Sequence, residues 1–175
     1  MAVPTVPILS IIVPVKDEED AIAPFVARAG AVLDALDDPA AKAWEILFID
    51  DGSSDATLAA IIIANQADPR IRAISFSRNF GKEPALSAGL DFAQGAAVIP
   101  IDVDLQDPPE VIGEMIKAWR AGHEVVYGVR RNRASDSLPK LLTADLYYRA
   151  HNRLSHDKIP EHAGDFRLLD RKVVD

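Results

Sequence analysis

Five short apolar runs, each followed by a polar turn and most by a stretch of helical period, constrain this chain more than any other feature. The runs are "ILSIIVPV" (8–15), "WEILFID" (44–50), "IRAISF" (71–76), "AAVIPID" (96–102) and "EVVYGV" (124–129). The first is continuous and β-branched, as a strand buried on both faces requires. Helices are expected over 16–36, 51–66, 82–94 and 108–122. In the first of these, Ile22, Phe25, Val26, Ala29, Leu33 and Leu36 recur at helical spacing, and acids load the first turn, where they suit the helix dipole. Ser53 or Ser54 is the expected N-cap of the second, and Pro108-Pro109 opens the fourth. Strands alternating with helices predict an α/β three-layer sandwich with a mainly parallel central sheet. Beyond residue 130 the rhythm stops. Residues 131–163 read as a long loop plus one amphipathic helix over 138–154, "LPKLLTADLYYRAHNRL".

Bulk properties narrow the function. A length of 175 residues suits one domain, and 49% hydrophobic with 26% charged residues is ordinary for a globular protein. The net charge of −8 disfavours nucleic acid as a partner. There is no cysteine, which excludes a disulfide framework and thiolate-bound zinc and fits a reducing compartment. No run approaches the ~20 apolar residues of a membrane span, and the first ten residues lack the order of a signal peptide. The expectation is a chain neither exported nor membrane-spanning. A homo-oligomer is left open.

In an open parallel sheet, ligands gather at the carboxyl ends of the strands. Here those ends carry Pro14-Val15-Lys16-Asp17-Glu18, Asp50-Asp51-Gly52-Ser53, Ser77-Arg78-Asn79-Phe80-Gly81-Lys82, Asp102-Val103-Asp104 and Gly128-Val129-Arg130-Arg131. Acids and bases on one edge suit a metal-bound phosphate. Asp102 and Asp104, one residue apart, can reach one hard cation, with Gln106 adding an amide oxygen. A lone D-x-D is common, and the plainer reading is a solvated turn with Asp107 capping the next helix. The buried strand before it and the arginines after it favour the metal. Asp50 or Asp51 could bond a ribose or base, or could serve as a capping turn in which Gly52 takes a positive φ. Arg130 and, less directly, Arg131 and Arg133 could neutralise a diphosphate or form a solvated basic loop. No G-x-G-x-x-G follows a strand and no P-loop is present. The four histidines show no ligand spacing, and no serine sits in a nucleophile elbow.

The motifs "IIVPVKDEED", "FIDDGSSDAT", "SRNFGKEPALSAGLDFA", "IDVDLQDPPE", "VVYGVRRNR" and "GDFRLLDRKVVD" occur in this order. Together they resemble the family 2 glycosyltransferases that load a sugar onto a polyprenyl phosphate, such as bactoprenol glucosyltransferases and dolichol-phosphate mannose synthases. The resemblance covers about residues 8–175. It implies a GT-A, Rossmann-like fold forming a single catalytic domain over 1–175, with 131–163 on the acceptor side. It implies a nucleotide diphosphate sugar donor, UDP-linked by the lean of "GDFRLLDR", a polyprenyl (undecaprenyl) phosphate acceptor, Mg²⁺ or Mn²⁺, and inversion at the anomeric centre. Residue by residue, it implies nucleotide-sugar contacts from Pro14, Lys16, Glu18, Asp50, Asp51, Asp102, Val103 and Arg130. Metal ligation would fall to Asp102, Asp104 and Gln106, phosphate or acceptor contacts to Lys82, Arg133 and Arg167, and work at the reacting centre to Asp165 and Asp104. Val103 stands where these enzymes usually carry Ala, facing the nucleotide.

Such proteins typically continue into membrane-associated helices, which residues 1–175 do not contain. The implied setting is a membrane surface on its cytoplasmic side. The stretch 138–154, with Leu138, Leu141, Leu142 and Leu146 at helical spacing and Lys140, Arg149 and Arg153 nearby, suits either anionic lipid or packing on the domain. Rival readings are a family 2 transferase with a saccharide acceptor, a nucleotidyltransferase, whose first-strand loop would not be the acidic "KDEED", and a binding domain without turnover.

Overall fold

The computed structural model describes residues 8–36, 43–129 and 163–175. Its element order is β1 (Leu9–Val15), α1 (Glu19–Asp34), β2 (Trp44–Asp50), α2 (Thr57–Ala67), β3 (Ile71–Ser75), α3 (Lys82–Phe92), β4 (Ala97–Pro100), a 3₁₀ turn (Pro109–Val111), α4 (Ile112–Arg120), β5 (Val125–Val129) and β6 (Ala163–Asp170), with a final helical turn at Arg171–Val174. The six strands form one sheet in the order β3-β2-β1-β4-β6-β5. β1, β2, β3 and β4 run parallel, and β6 lies antiparallel between β4 and β5. The mainly parallel α/β sandwich read from the sequence is the observed architecture.

The two-sided burial of the central strands follows from their period of two. Leu9, Ile11, Val13 and Val15 of β1 join Trp44, Ile46 and Phe48 of β2 in the larger core, under Ile22, Phe25, Ala29 and Leu33 of α1. Phe25 and Phe48 meet edge to face with ring centroids 5.9 Å apart. Ile12, Leu47 and Ile49 turn to the other face, where Ala85, Leu86 and Leu90 of α3 cover them. Gly89 lets α3 settle there, since a Cβ would stand 3.0 Å from Ile49 Cδ1 and 3.1 Å from Ile12 Cδ1.

The sixth strand is a departure from the sequence reading, which took the motif "GDFRLLD" without assigning it a strand. Phe166 and Leu168 alternate into the larger core while Arg167 stays exposed, a half-buried pattern. Trp119 Nε1 donates to Asp170 Oδ2 at 2.6 Å and ties α4 to the end of β6. Arg171 donates to the carbonyls of Ala93 and Gly95, closing β6 onto the turn before β4. The amphipathic stretch 138–154 lies outside the described residues. Among the described residues no helix is long and apolar enough to cross a membrane.

Candidate active site

The parallel strands β1, β2, β3 and β4 all end on one edge, and their following loops meet there. Two of these loops hold each other through reciprocal hydrogen bonds. The Asp17 N–H donates to Ser53 Oγ at 2.9 Å, and Asp17 Oδ1 accepts from Ser54 N at 2.7 Å and from Ser54 Oγ at 3.1 Å. The Glu18 N–H donates to Thr57 Oγ1 at 2.8 Å, and Glu19 Oε2 accepts from the Ala56 N–H at 2.7 Å. Asp17 holds a positive φ of 53° to make these bonds, a conformation that a short polar side chain tolerates better than most. The bonds occupy Ser53 and Ser54, so neither caps α2. That helix begins at Thr57, with Ala56 at the cap position, and the Thr57 N–H donates instead to Asp55 Oδ1 at 3.0 Å.

The third loop is fixed from β2. Asp51 accepts from the Phe80 N–H at 2.7 Å and the Gly81 N–H at 2.9 Å. Asp50 accepts from the Ser53 N–H at 3.0 Å and the Ser75 hydroxyl at 2.8 Å. Both acids are buried. Charge-assisted bonds of this kind are stronger than neutral ones. Gly52, between these loops, has φ +66°, and a Cβ there would lie 2.4 Å from the Arg78 carbonyl carbon. Only glycine fits, as the positive φ read from the sequence requires.

The result is a cleft of about 310 Å³. Pro14, Lys16 and Glu18 line it from the end of β1, Asp51 from β2, Lys82 from α3 and Asp102 from β4. Six residues singled out in the sequence, from four segments, therefore share one cavity. Asn79, Gly81, Val15 and Ala85 complete the wall. The sequence reading assigned no role to these four, although the N-F-G-K run after a strand was the available signal for Asn79 and Gly81.

Electrostatically the cleft is mixed. Lys16 Nζ lies 2.8 Å from Asp17 Oδ2. That hydrogen bond, with those from Ser54, lowers the Asp17 carboxyl to about 2, and the same contact raises the Lys16 ammonium. Lys82 Nζ lies 2.8 Å from Asp102 Oδ1 and 3.0 Å from Oδ2. Beyond β4, Ile101 is buried, Asp102 half-buried, Val103 buried and Asp104 exposed. The alternation puts both acids on the solvent side. The Val103 side chain packs into the larger core. Asp104 Oδ1 accepts from the Gln106 N–H at 3.0 Å across Leu105, which has φ +59°.

Two solvent-side carboxylates one residue apart, Asp102 half-buried and Asp104 exposed, fit Mg²⁺ or Mn²⁺, which bind through one or two protein carboxylates and keep positions for phosphate and water. Among the described residues no group of three or more acidic, histidine or cysteine side chains is placed to hold a metal ion. Gln106 is exposed, and its backbone, rather than its amide, makes the bond to Asp104. Arg167 is exposed on β6 and lines a separate recess of about 60 Å³ with Glu83, Leu86 and Pro100. The backbone of Asp165 belongs to β6, while its side chain, Arg130 and Arg133 lie outside what is described.

The sequence model of "Glycosyl transferase family 2" matches residues 10–175. The chain belongs to this family. It is 48% identical over 169 residues to a prophage bactoprenol glucosyl transferase homolog of Escherichia coli K12, an alignment covering 95% of this chain and 53% of that protein. The chain spans about half the length of the curated relatives it matches. Among solved structures it resembles a mannosyltransferase from Pyrobaculum calidifontis in complex with GDP-Man and Mn²⁺, at TM-score 0.59 and 25% identity, covering 73% of this chain and 37% of that one. It also superposes on glucosyl-3-phosphoglycerate synthase from Mycobacterium tuberculosis, at TM-score 0.66 and 22% identity, covering 95% of this chain and 57% of that one. The fold is that of the GT-A glycosyltransferases.

Two predictions follow from this geometry. Gly52→Ala forces a Cβ into the Arg78 backbone and is expected to cost about 2–4 kcal/mol, read from the denaturant midpoint. A loss below about 0.5 kcal/mol, the scale of an ordinary surface change, would contradict the loop contact. The folded Asp17 carboxyl, at about 2, lies below its ordinary 3.8. Its contribution is therefore complete above the ordinary value and is lost as the pH falls through the folded one. Carboxyl ¹³C titration by NMR should give a midpoint near 2, whereas an unshifted midpoint would contradict the Asp17 bonds to Lys16 and Ser54.

Proposed function

We propose that this chain is the donor-binding catalytic domain of a transferase that moves a hexose from a nucleotide diphosphate sugar to a polyprenyl phosphate. The observation that carries the reading is the convergence of Pro14, Lys16, Glu18, Asp51, Lys82 and Asp102 on one cleft at the carboxyl edge of the sheet. The acceptor is supported by the likeness to bactoprenol glucosyl transferases. UDP is the preferred donor nucleotide and glucose the first sugar to test. Catalysis proceeds with inversion, at the cytoplasmic face of the membrane that holds the lipid acceptor.

The parts divide as follows. Pro14 and Glu18 bound the nucleoside end of the cleft, and Asp51 fixes the backbone at Phe80 and Gly81, next to the Asn79 and Gly81 wall. Lys16 and Lys82 bring positive charge to the diphosphate. Asp102 and Asp104 would hold Mg²⁺ or Mn²⁺, in line with the Mn²⁺ in the Pyrobaculum complex. When bound, such an ion supplies charge neutralisation for the departing diphosphate. Arg130 joins the donor phosphates, and Arg133 and Arg167 serve the acceptor side. The acceptor phosphate monoester has a second pKa of about 6 and is largely a dianion near neutrality. It attacks without losing a proton, so Asp165 is assigned to orienting the sugar or acceptor and not to general base work.

The test is transfer of labelled glucose from UDP-glucose to undecaprenyl phosphate with Mn²⁺. Asp104→Ala should lower turnover by about 100-fold or more, the scale of losing one transition-state charge contact. Wild-type turnover in that variant would overturn the metal assignment. Activity only on a saccharide acceptor would favour the other family 2 reading.

A further inference from the structure

Lys82 occupies a position that helix stability does not explain. It is the first residue of α3, after Gly81 at the cap. The N-terminus of a helix carries partial positive charge, which favours acids such as the neighbouring Glu83 and disfavours a lysine. Its ammonium instead reaches β4 and forks over both oxygens of Asp102, at 2.8 and 3.0 Å. The two side chains are 43% and 45% exposed, so water screens the pair and it exchanges readily. Both groups line the proposed donor cleft.

Asp102 is therefore asked to serve two cations. The ammonium engages both carboxylate oxygens, the atoms that a divalent ion would need. Two cations drawn to one carboxylate repel each other, so the ammonium and a divalent ion would compete for Asp102. We propose that Lys82 is an exchangeable counter-ion. It holds Asp102 until a nucleoside diphosphate enters, then moves to the phosphate oxygens and leaves Asp102 to the divalent ion. The inference rests on the donor-site reading above and adds a positioning role for Lys82. Metal and nucleotide then bind with positive coupling, and each raises the affinity of the other by the same factor.

The experiment titrates Mn²⁺ alone, read by the electron paramagnetic resonance of the free ion, into wild type, Lys82→Met and Lys82→Arg, then repeats it with saturating UDP. Lys82→Met should bind Mn²⁺ alone about five- to tenfold more tightly than wild type, while Lys82→Arg stays close to wild type. UDP should tighten Mn²⁺ binding at least tenfold in wild type and by a smaller factor in Lys82→Met. A merely structural lysine would not make its loss tighten a metal. Equal or weaker Mn²⁺ binding by Lys82→Met overturns the counter-ion role whatever UDP does. Tighter Mn²⁺ binding in Lys82→Met with no effect of UDP on either protein overturns the donor reading and the exchange step with it.

Discussion

The carboxylate of Asp51 holds the site together. It is buried at the end of β2 and accepts the backbone N–H groups of Phe80 and Gly81. Removing it would leave two donors unpaired, at about 1–3 kcal/mol for each that stays buried. With Gly52 pressed against Arg78, this bond sets where the loop after β3 ends and where α3 begins. The start of α3 in turn sets where Lys82 can reach. The bonds of Asp17 to Ser53 and Ser54 perform the same task between the loops after β1 and β2. The cleft is thus a property of loops tied to one another across sequence separations of 29 to 39 residues.

That construction bears on how an acidic chain could hold the proposed polyanionic donor. The net charge is −8, yet the acids near the cleft do not all face it as open negative charge. Asp50 and Asp51 are engaged by backbone and hydroxyl donors, and Asp17 by Lys16 and Ser54. Asp102 is met by Lys82, and Asp104 stands exposed beyond it. Negative charge is concentrated at the end of β4, where a divalent ion can convert it into attraction for phosphate. Family 2 membership, the GT-A architecture and the shared cleft all point to a nucleotide-sugar donor.

The sheet and most of the cleft were legible in the residues, for physical reasons. Strands buried on both faces leave long apolar runs, and parallel topology sends their carboxyl ends to one edge, so Lys16, Asp51 and Asp102 could be placed together before any coordinates. Other features were not local. β6 follows a polar stretch and buries one face only, through Phe166 and Leu168, so its apolar signal is short. Ser53 and Ser54 look like helix caps by composition, but Asp17, 36 and 37 residues away, claims them. The Lys82–Asp102 contact joins residues 20 apart and depends on how α3 packs across the sheet.

Donor binding tests the account most directly, because the fold, the loop ties and the charge pattern all serve it. Thermal unfolding of the chain with UDP-glucose and Mn²⁺ should show a higher midpoint than with either alone, rising with ligand concentration as binding to the folded state requires. Asp102→Asn should remove most of that gain while leaving the unliganded midpoint nearly unchanged. If UDP, GDP and their sugars all leave the midpoint unmoved in the presence of Mn²⁺ or Mg²⁺, the cleft is not a nucleotide-sugar site and the account fails.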